Sequence, residues 1–276
     1  MDFPKAKFIE ELYSEEDVNR MVAEFQEKGY TILRNVFERE SVKEFKSQLE
    51  ELMYFDGLSH TIPDDTMHYI YGALAPRGRQ FLPQLLSASV AKPMPSVHTT
   101  IIVIETDDTR GSYAPQWHKD RQPDGMPGKE YHYPLDVFLG YYFEDIDEDH
   151  GPTQIIPGSH RDVTLNPYNG APVESIYLNM EDALMLDQRT WHRGVSRKAP
   201  GTRFLIVYGI YAMPHHYLST SKMPRMQRDL WMKTANLKDR VYFGGPFAPP
   251  DIEELDEIRK LHESGEIPEM YFGRMT

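Results

Sequence analysis

The sequence predicts a mainly β fold, a barrel or double-sheet jelly roll with helices buttressing its N-terminal side. Three observations lead there. Helix-period patterns cluster before residue 54 and return only near the C-terminus. From residue 98 the apolar runs are short, rich in β-branched and aromatic residues, and separated by Gly, Pro and Asp. No internal repeat, low-complexity tract or linker divides the 276 residues, and barrels and sandwiches often reach that length as one domain.

Taken in order, residues 14–28 form the first expected helix. Val18, Met21, Val22 and Phe25 recur at helical spacing, Ser14 supplies an N-cap, and Gly29 follows the end. "YTILRNVF" then has strand character, and residues 40–53 repeat Val42, Phe45, Leu49 and Leu52 on one helical face. Residues 60–97 are rich in Pro, Gly and Ser without periodicity, which predicts loops. The strands follow in "HTTIIVIET", "DVFLGYYFE", "ALMLD" and "RFLIVYGIYA". "PPDIEELDEIRKLHESG" closes the list as a helix, with acids in its first turn, Arg259 and Lys260 late, and Gly265 as the stop. The expected organisation is a single domain over 1–276. It comprises an N-terminal helical buttress at 1–60, a jelly-roll core at about 98–215 and a C-terminal lid and helix extension at 216–276.

Composition narrows the function. Acidic residues outnumber basic ones 43 to 30, a formal net charge of −13, which argues against a nucleic-acid backbone as partner. No apolar run approaches a membrane span, and "MDFPKAKFIEEL" is too charged for a signal peptide. The absence of cysteine removes disulfides and thiolate ligands and suits the cytoplasm. A small-molecule substrate is the expected partner.

The chemistry is concentrated in "QWHKDRQPDGMP", residues 116–127. On an extended chain, residues i and i+2 share a face, so His118 and Asp120 aim an imidazole and a carboxylate at one point while Lys119 points away. By itself, a His-x-Asp pair is more often an ordinary polar surface pair. A second histidine changes the weighing: His192 follows the strand Ala183–Leu186 and a polar turn, and strands distant in sequence meet inside a jelly roll. Two histidines and one carboxylate on one face leave cis positions open, the ligand set of non-heme Fe(II) oxygenases. Arg203 opens an otherwise apolar strand. An arginine entering a barrel lined by Phe204, Ile206 and Tyr208 needs an anionic partner, and its guanidinium fork matches a carboxylate.

"WHKD", "HGPTQIIPGSH", "ALMLDQRTWHRG" and the arginine that follows resemble the phytanoyl-CoA dioxygenase family of Fe(II)/2-oxoglutarate-dependent oxygenases. The opening "FQEKGYTILRNVF" is similar to that family's N-terminus, and the likeness spans roughly residues 10–215. The resemblance implies a double-stranded β-helix of cupin type, with His118, Asp120 and His192 binding Fe(II) and Arg203 binding the distal carboxylate of 2-oxoglutarate. It also implies O2 as co-substrate, and succinate and CO2 as co-products of a hydroxylation, desaturation or cyclisation. Gln116 and Thr153 match positions that often hydrogen-bond the co-substrate, and an amide at a strand end or a hydroxyl in a turn accounts for them equally well. Gly194 departs from the small polar residue usual two positions after the distal histidine, and Asp136 stands near a position that some members fill with an aromatic residue. His160, in the turn-like "PGSH", is expected to be structural, and the His215–His216 pair receives no role.

Other classes compete with this reading. A non-catalytic jelly-roll metal- or ligand-binding protein would not need Arg203, and an iron-dependent halogenase would not carry Asp120. The loop-rich 60–97 stretch and the Met-rich 213–247 segment are candidate lids; plain packing or a homodimer contact explains the latter equally well. Arg110, Lys119, Arg121, Arg193 and Arg197 flank the expected mouth, where solvated surface charge is the simpler account of them.

Overall fold

The computed structural model describes residues 6–52, 54–55, 60–61, 77, 80, 96–105, 116–121, 133–134, 136–211 and 255–264. The expected lid segments at 60–97 and 213–247 fall almost wholly outside these residues, as does His215–His216. Helix α1 (Glu15–Lys28) starts where the Ser14 hydroxyl accepts from the Asp17 N–H and stops at Gly29, whose φ of 85° forms a left-handed C-cap. Strand β1 (Tyr30–Leu33) and helix α2 (Arg39–Leu52) follow. Strand β2 (Tyr54–Phe55) pairs antiparallel with β3 (His60–Thr61). Helix α3 (Leu255–Glu263) matches the expected C-terminal helix and carries an Asp256–Arg259 ion pair one turn apart.

The remaining strands are β4 (Ser96–Glu105), β5 (Asp136–Tyr141), β6 (Thr153–Ile155), β7 (Glu174–Ile176), β8 (Ala183–Asp187), β9 (His192–Gly194) and β10 (Thr202–Tyr211). They form a five-stranded sheet in the order β1-β8-β5-β10-β4 and a three-stranded sheet in the order β7-β6-β9, every pairing antiparallel. The N-terminal segment is therefore more than a buttress, because β1 is an edge strand of the larger sheet, with Tyr30 opposite Leu186.

Strand alternation gives the large sheet two different faces. The register sets Tyr30, Phe138, Leu184, Leu186 and Leu205 on one face, where they share a buried cluster with Ile155 and Ile176 of the small sheet. The opposite face carries Val137, Leu139, Met185, Phe204 and Ile206, all buried. Aromatic rings cover that side: Phe45 of α2 packs against Phe143, just past β5, Phe143 packs against Phe37, ahead of α2, and Tyr141 meets Phe37 at 4.9 Å. Burying a residue such as Phe25, fully enclosed in α1, contributes about 1.5–3 kcal/mol. That is why an amphipathic helix of modest propensity holds here.

The register corrects one expectation. Arg203 lies on the face of Leu205, which looks toward the small sheet, whereas Phe204 and Ile206 face the helices. The ring beneath the guanidinium is that of Tyr142, not of either neighbour on its own strand.

Candidate metal and anion site

His118 and His192 come together through backbone before side chains enter. Each donates its N–H to the other's carbonyl at 3.0 Å, an isolated antiparallel bridge between the 116–121 segment and the start of β9. Among the described residues His118 lies in no strand, and this single bridge sets the facing of the two rings. Arg121 N–H extends the seam by donating to the Gln188 carbonyl at 3.1 Å. The turn ahead of β9 is braced where Arg189 grips the fully buried Asp187 carboxylate with Nε at 2.9 Å and Nη2 at 2.6 Å.

Both imidazoles are oriented by carbonyls. His118 Nδ1 lies 2.8 Å from the Gln116 carbonyl and His192 Nδ1 lies 2.9 Å from the Thr190 carbonyl. A carbonyl only accepts, so each Nδ1 carries the proton and each Nε2 presents a lone pair. The two Nε2 atoms each stand 3.6 Å from an oxygen of Asp120, and ligand atoms of all three residues lie within 4.8 Å of one another. Burial holds His192 below the usual histidine pKa, with Asp120 pulling the other way. The site opens to one side: the His118 and Asp120 side chains are 46% and 43% exposed, against 13% for His192.

Arg203 contrasts with this in burial. It is 2% exposed, its Nη1 donates to the Gly151 carbonyl and, at 3.2 Å, to that of His150, and its guanidinium lies 5.7 Å over the Tyr142 ring. Burial lowers its pKa from the ordinary arginine value. Its Nε has no hydrogen-bond partner among the described residues, and Glu144, whose field reaches it, is already engaged by Arg197 and Lys46. A buried guanidinium with an unsatisfied edge is costly unless an anion completes it.

Thr153 is buried, and its hydroxyl shares a 2.6 Å hydrogen bond with that of Tyr142, beside Arg203. Gln116 is exposed, and among the described residues its contact is made by the carbonyl that orients His118. His160 stands apart from the triad: Nε2 donates to the Gln26 carbonyl at 3.1 Å, and burial pushes its pKa down from 6.5 to about 4. Lys119 turns away as expected, donating to the Ser159 carbonyl at 2.7 Å. Arg193 stacks 4.7 Å from Trp117 and holds Gln154 at 2.8 Å, while Arg197 is buried against Glu144. Arg197 is therefore structural, not a mouth residue. Sequence reasoning missed Tyr142, although strand alternation in "DVFLGYYFE" puts it on the Phe138 face.

No protein-family model matches the chain, and no curated protein sequence is recognisably similar to it. Solved structures are similar. The epimerase SnoN, in complex with Fe3+, alpha ketoglutarate and nogalamycin RO, aligns over 77% of this chain and 92% of its own, with TM-score 0.56 and 16% identity. EvdO2 from Micromonospora carbonacea var. aurantiaca, complexed with 2-oxoglutarate, aligns over 75% and 94%, with TM-score 0.55 and 15% identity. HygX from Streptomyces hygroscopicus, with nickel and 2-oxoglutarate bound, aligns over 73% and 87%, with TM-score 0.51 and 16% identity. At these identities the likeness is one of fold. Among the described residues, no helix is long and apolar enough to cross a membrane.

Proposed function

We propose that this protein is a non-heme Fe(II)- and 2-oxoglutarate-dependent dioxygenase that oxidises a small molecule and releases succinate and CO2. The observation that carries the reading is the convergence of two carbonyl-oriented imidazoles and one carboxylate within 4.8 Å. That donor set suits a divalent metal with open positions. The similar structures of SnoN, EvdO2 and HygX, each bound to alpha ketoglutarate (2-oxoglutarate), support the choice of co-substrate. The two antiparallel sheets around a shared core agree with a double-stranded β-helix of cupin type, and the motifs from "WHKD" to Arg203 agree with the phytanoyl-CoA dioxygenase family.

The geometry supports the following residue roles. His118, Asp120 and His192 hold the metal, which, when bound, supplies the Lewis acidity and redox chemistry by which O2 oxidises the co-substrate and then the substrate. Arg203 offers its unsatisfied Nε edge to the distal carboxylate of 2-oxoglutarate, in a dry pocket where a charge-assisted bond is strongest. Tyr142 packs beneath the guanidinium and, through Thr153, closes the pocket's polar edge. The exposed side of the triad admits the substrate, so water must be excluded from above when substrate binds. Asp120 fills the position that an iron-dependent halogenase leaves to halide. The substrate is a small molecule, and its contacts decide between hydroxylation, desaturation and cyclisation.

The test is succinate formation from 2-oxoglutarate across a metabolite library, with Fe(II) under air. Substrate-dependent succinate supports the assignment, and its absence together with no metal binding removes it.

A further inference from the structure

Arg203 owes its pose to a surface turn that the proposed function leaves without a role. Asp147 Oδ1 accepts from the N–H of Asp149 at 2.8 Å, from the N–H of His150 at 3.1 Å, and from His150 Nδ1 at 2.6 Å. Those bonds tie off the amides of the turn, and its carbonyls all reach one segment. The Asp149 carbonyl takes the N–H groups of Lys198 and Ala199 at 2.8 and 2.9 Å. The His150 and Gly151 carbonyls take Arg203 Nη1, and the Pro152 carbonyl takes Val195 N–H at 3.1 Å. Four consecutive carbonyls thus grip the 195–203 stretch that joins His192 to Arg203. Gly151 allows the approach: its φ is 71°, and a Cβ there would sit 2.5 Å from the Val195 carbonyl oxygen and 3.2 Å from Arg203 Nη1.

We propose that Asp147 is a positioning residue for 2-oxoglutarate binding, acting through the 149–152 carbonyls to fix which edge of the Arg203 guanidinium faces the ligand. The proposal rests on reading Arg203 as the co-substrate clamp. With Nη1 held by two carbonyls, the Nε edge is the one left to a carboxylate, and bidentate recognition depends on that orientation. Without Asp147, two turn amides and the His150 ring lose their common acceptor, the carbonyls lose their fixed aim, and the guanidinium can rotate. The Asp147 side chain is 67% exposed, so its removal leaves the core intact.

The experiment uses full-length protein loaded with Mn(II), titrated calorimetrically with 2-oxoglutarate and with 2-oxovalerate. The second acid has the same chain but ends in a methyl group where 2-oxoglutarate has its distal carboxylate. Wild type is expected to prefer 2-oxoglutarate. Asp147→Ala should weaken 2-oxoglutarate roughly three- to tenfold, while the affinities for 2-oxovalerate and Mn(II) stay at wild-type values. Asp147→Asn keeps the accepting oxygen and should restore the preference. An Asp147→Ala protein that binds 2-oxoglutarate as wild type does, or that loses both acids alike, overturns the proposal and leaves the clamp standing. A wild type that binds both acids equally removes the clamp, and the proposal with it.

Discussion

The two ends of the site are built to opposite specifications. At the triad, His118 and Asp120 are nearly half exposed and the rings are held by single backbone carbonyls. At Arg203 the side chain is enclosed, stacked on an aromatic ring and gripped by two carbonyls. Under the proposed function, the difference follows from what each end must do. A metal that exchanges ligands during turnover needs open coordination positions and access. A carboxylate clamp gains strength from a dry surrounding, since the same charge–charge attraction is several-fold larger away from water. Access and dryness cannot be had at one point, so the protein separates them along the inner side of its sheets.

The largest expected effect breaks the exposed end. His192→Ala or His118→Ala leaves two ligands, too few to hold a labile divalent ion, and should abolish 2-oxoglutarate turnover and sharply weaken metal binding. Full activity in either variant would sink the triad. Asp120→Gly should be equally inactive in oxygenation. Mass spectrometry of products made in bromide checks the third ligand: a bromine isotope pair from wild type would contradict its role.

Breaking the buried end should be selective. Arg203→Ala removes a charge-assisted bond worth about 1.5–3 kcal/mol, so the apparent constant for 2-oxoglutarate should rise roughly ten- to a hundredfold. Metal affinity should be kept. Arg203→Lys should recover only part of the loss, because an ammonium lacks the planar fork. An unchanged constant in Arg203→Ala would mean the carboxylate is held elsewhere.

How far these two ends were legible in the sequence differs for physical reasons. Helix α1 and both of its caps could be read, because Ser14, the apolar spacing and Gly29 are local signals. The His118, Asp120, His192 and Arg203 set was legible as residue types in order, but the bridge joining the histidines was not, since it pairs residues far apart in sequence. The three-residue strands β6, β7 and β9 have no period to detect, so the small sheet that carries His192 went unseen. Phe204 and Ile206 lie near Arg203 in sequence, but strand alternation turns them to the opposite face. The role proposed for Asp147 is not legible in "EDIDEDHG", because it depends on carbonyls that pair with residues 195–203.

Smaller effects sharpen the link between scaffold and metal. Gly29→Ala forces a side chain into a left-handed cap, and its Cβ would fall 2.3 Å from Thr190 Oγ1 and 2.6 Å from His160 Nδ1. The cost should be about 1–3 kcal/mol, read as a lower Tm. Because the Thr190 carbonyl orients His192, metal affinity should fall as well. A lower Tm with unchanged metal affinity would uncouple the two.

The smallest effect concerns pH. His160 is neutral in the fold because burial lowers its pKa from 6.5 to about 4, so the unfolded chain takes up a proton first as pH falls. The stability this contributes is complete above pH 6.5 and drains away toward pH 4. His160→Gln should flatten the acid limb of a stability–pH profile across that window, and an equally steep limb would contradict the assignment.

The most direct test of the division between an open metal end and a dry anion end is an anaerobic titration of Fe(II)-loaded protein with 2-oxoglutarate, followed by visible absorption. Bidentate chelation at the triad predicts a weak charge-transfer band that saturates in wild type. In Arg203→Ala the same band should appear only at ten- to a hundredfold higher 2-oxoglutarate, and it should be absent in His192→Ala. A colourless wild-type complex at saturating ligand, or identical titrations for wild type and Arg203→Ala, would contradict it.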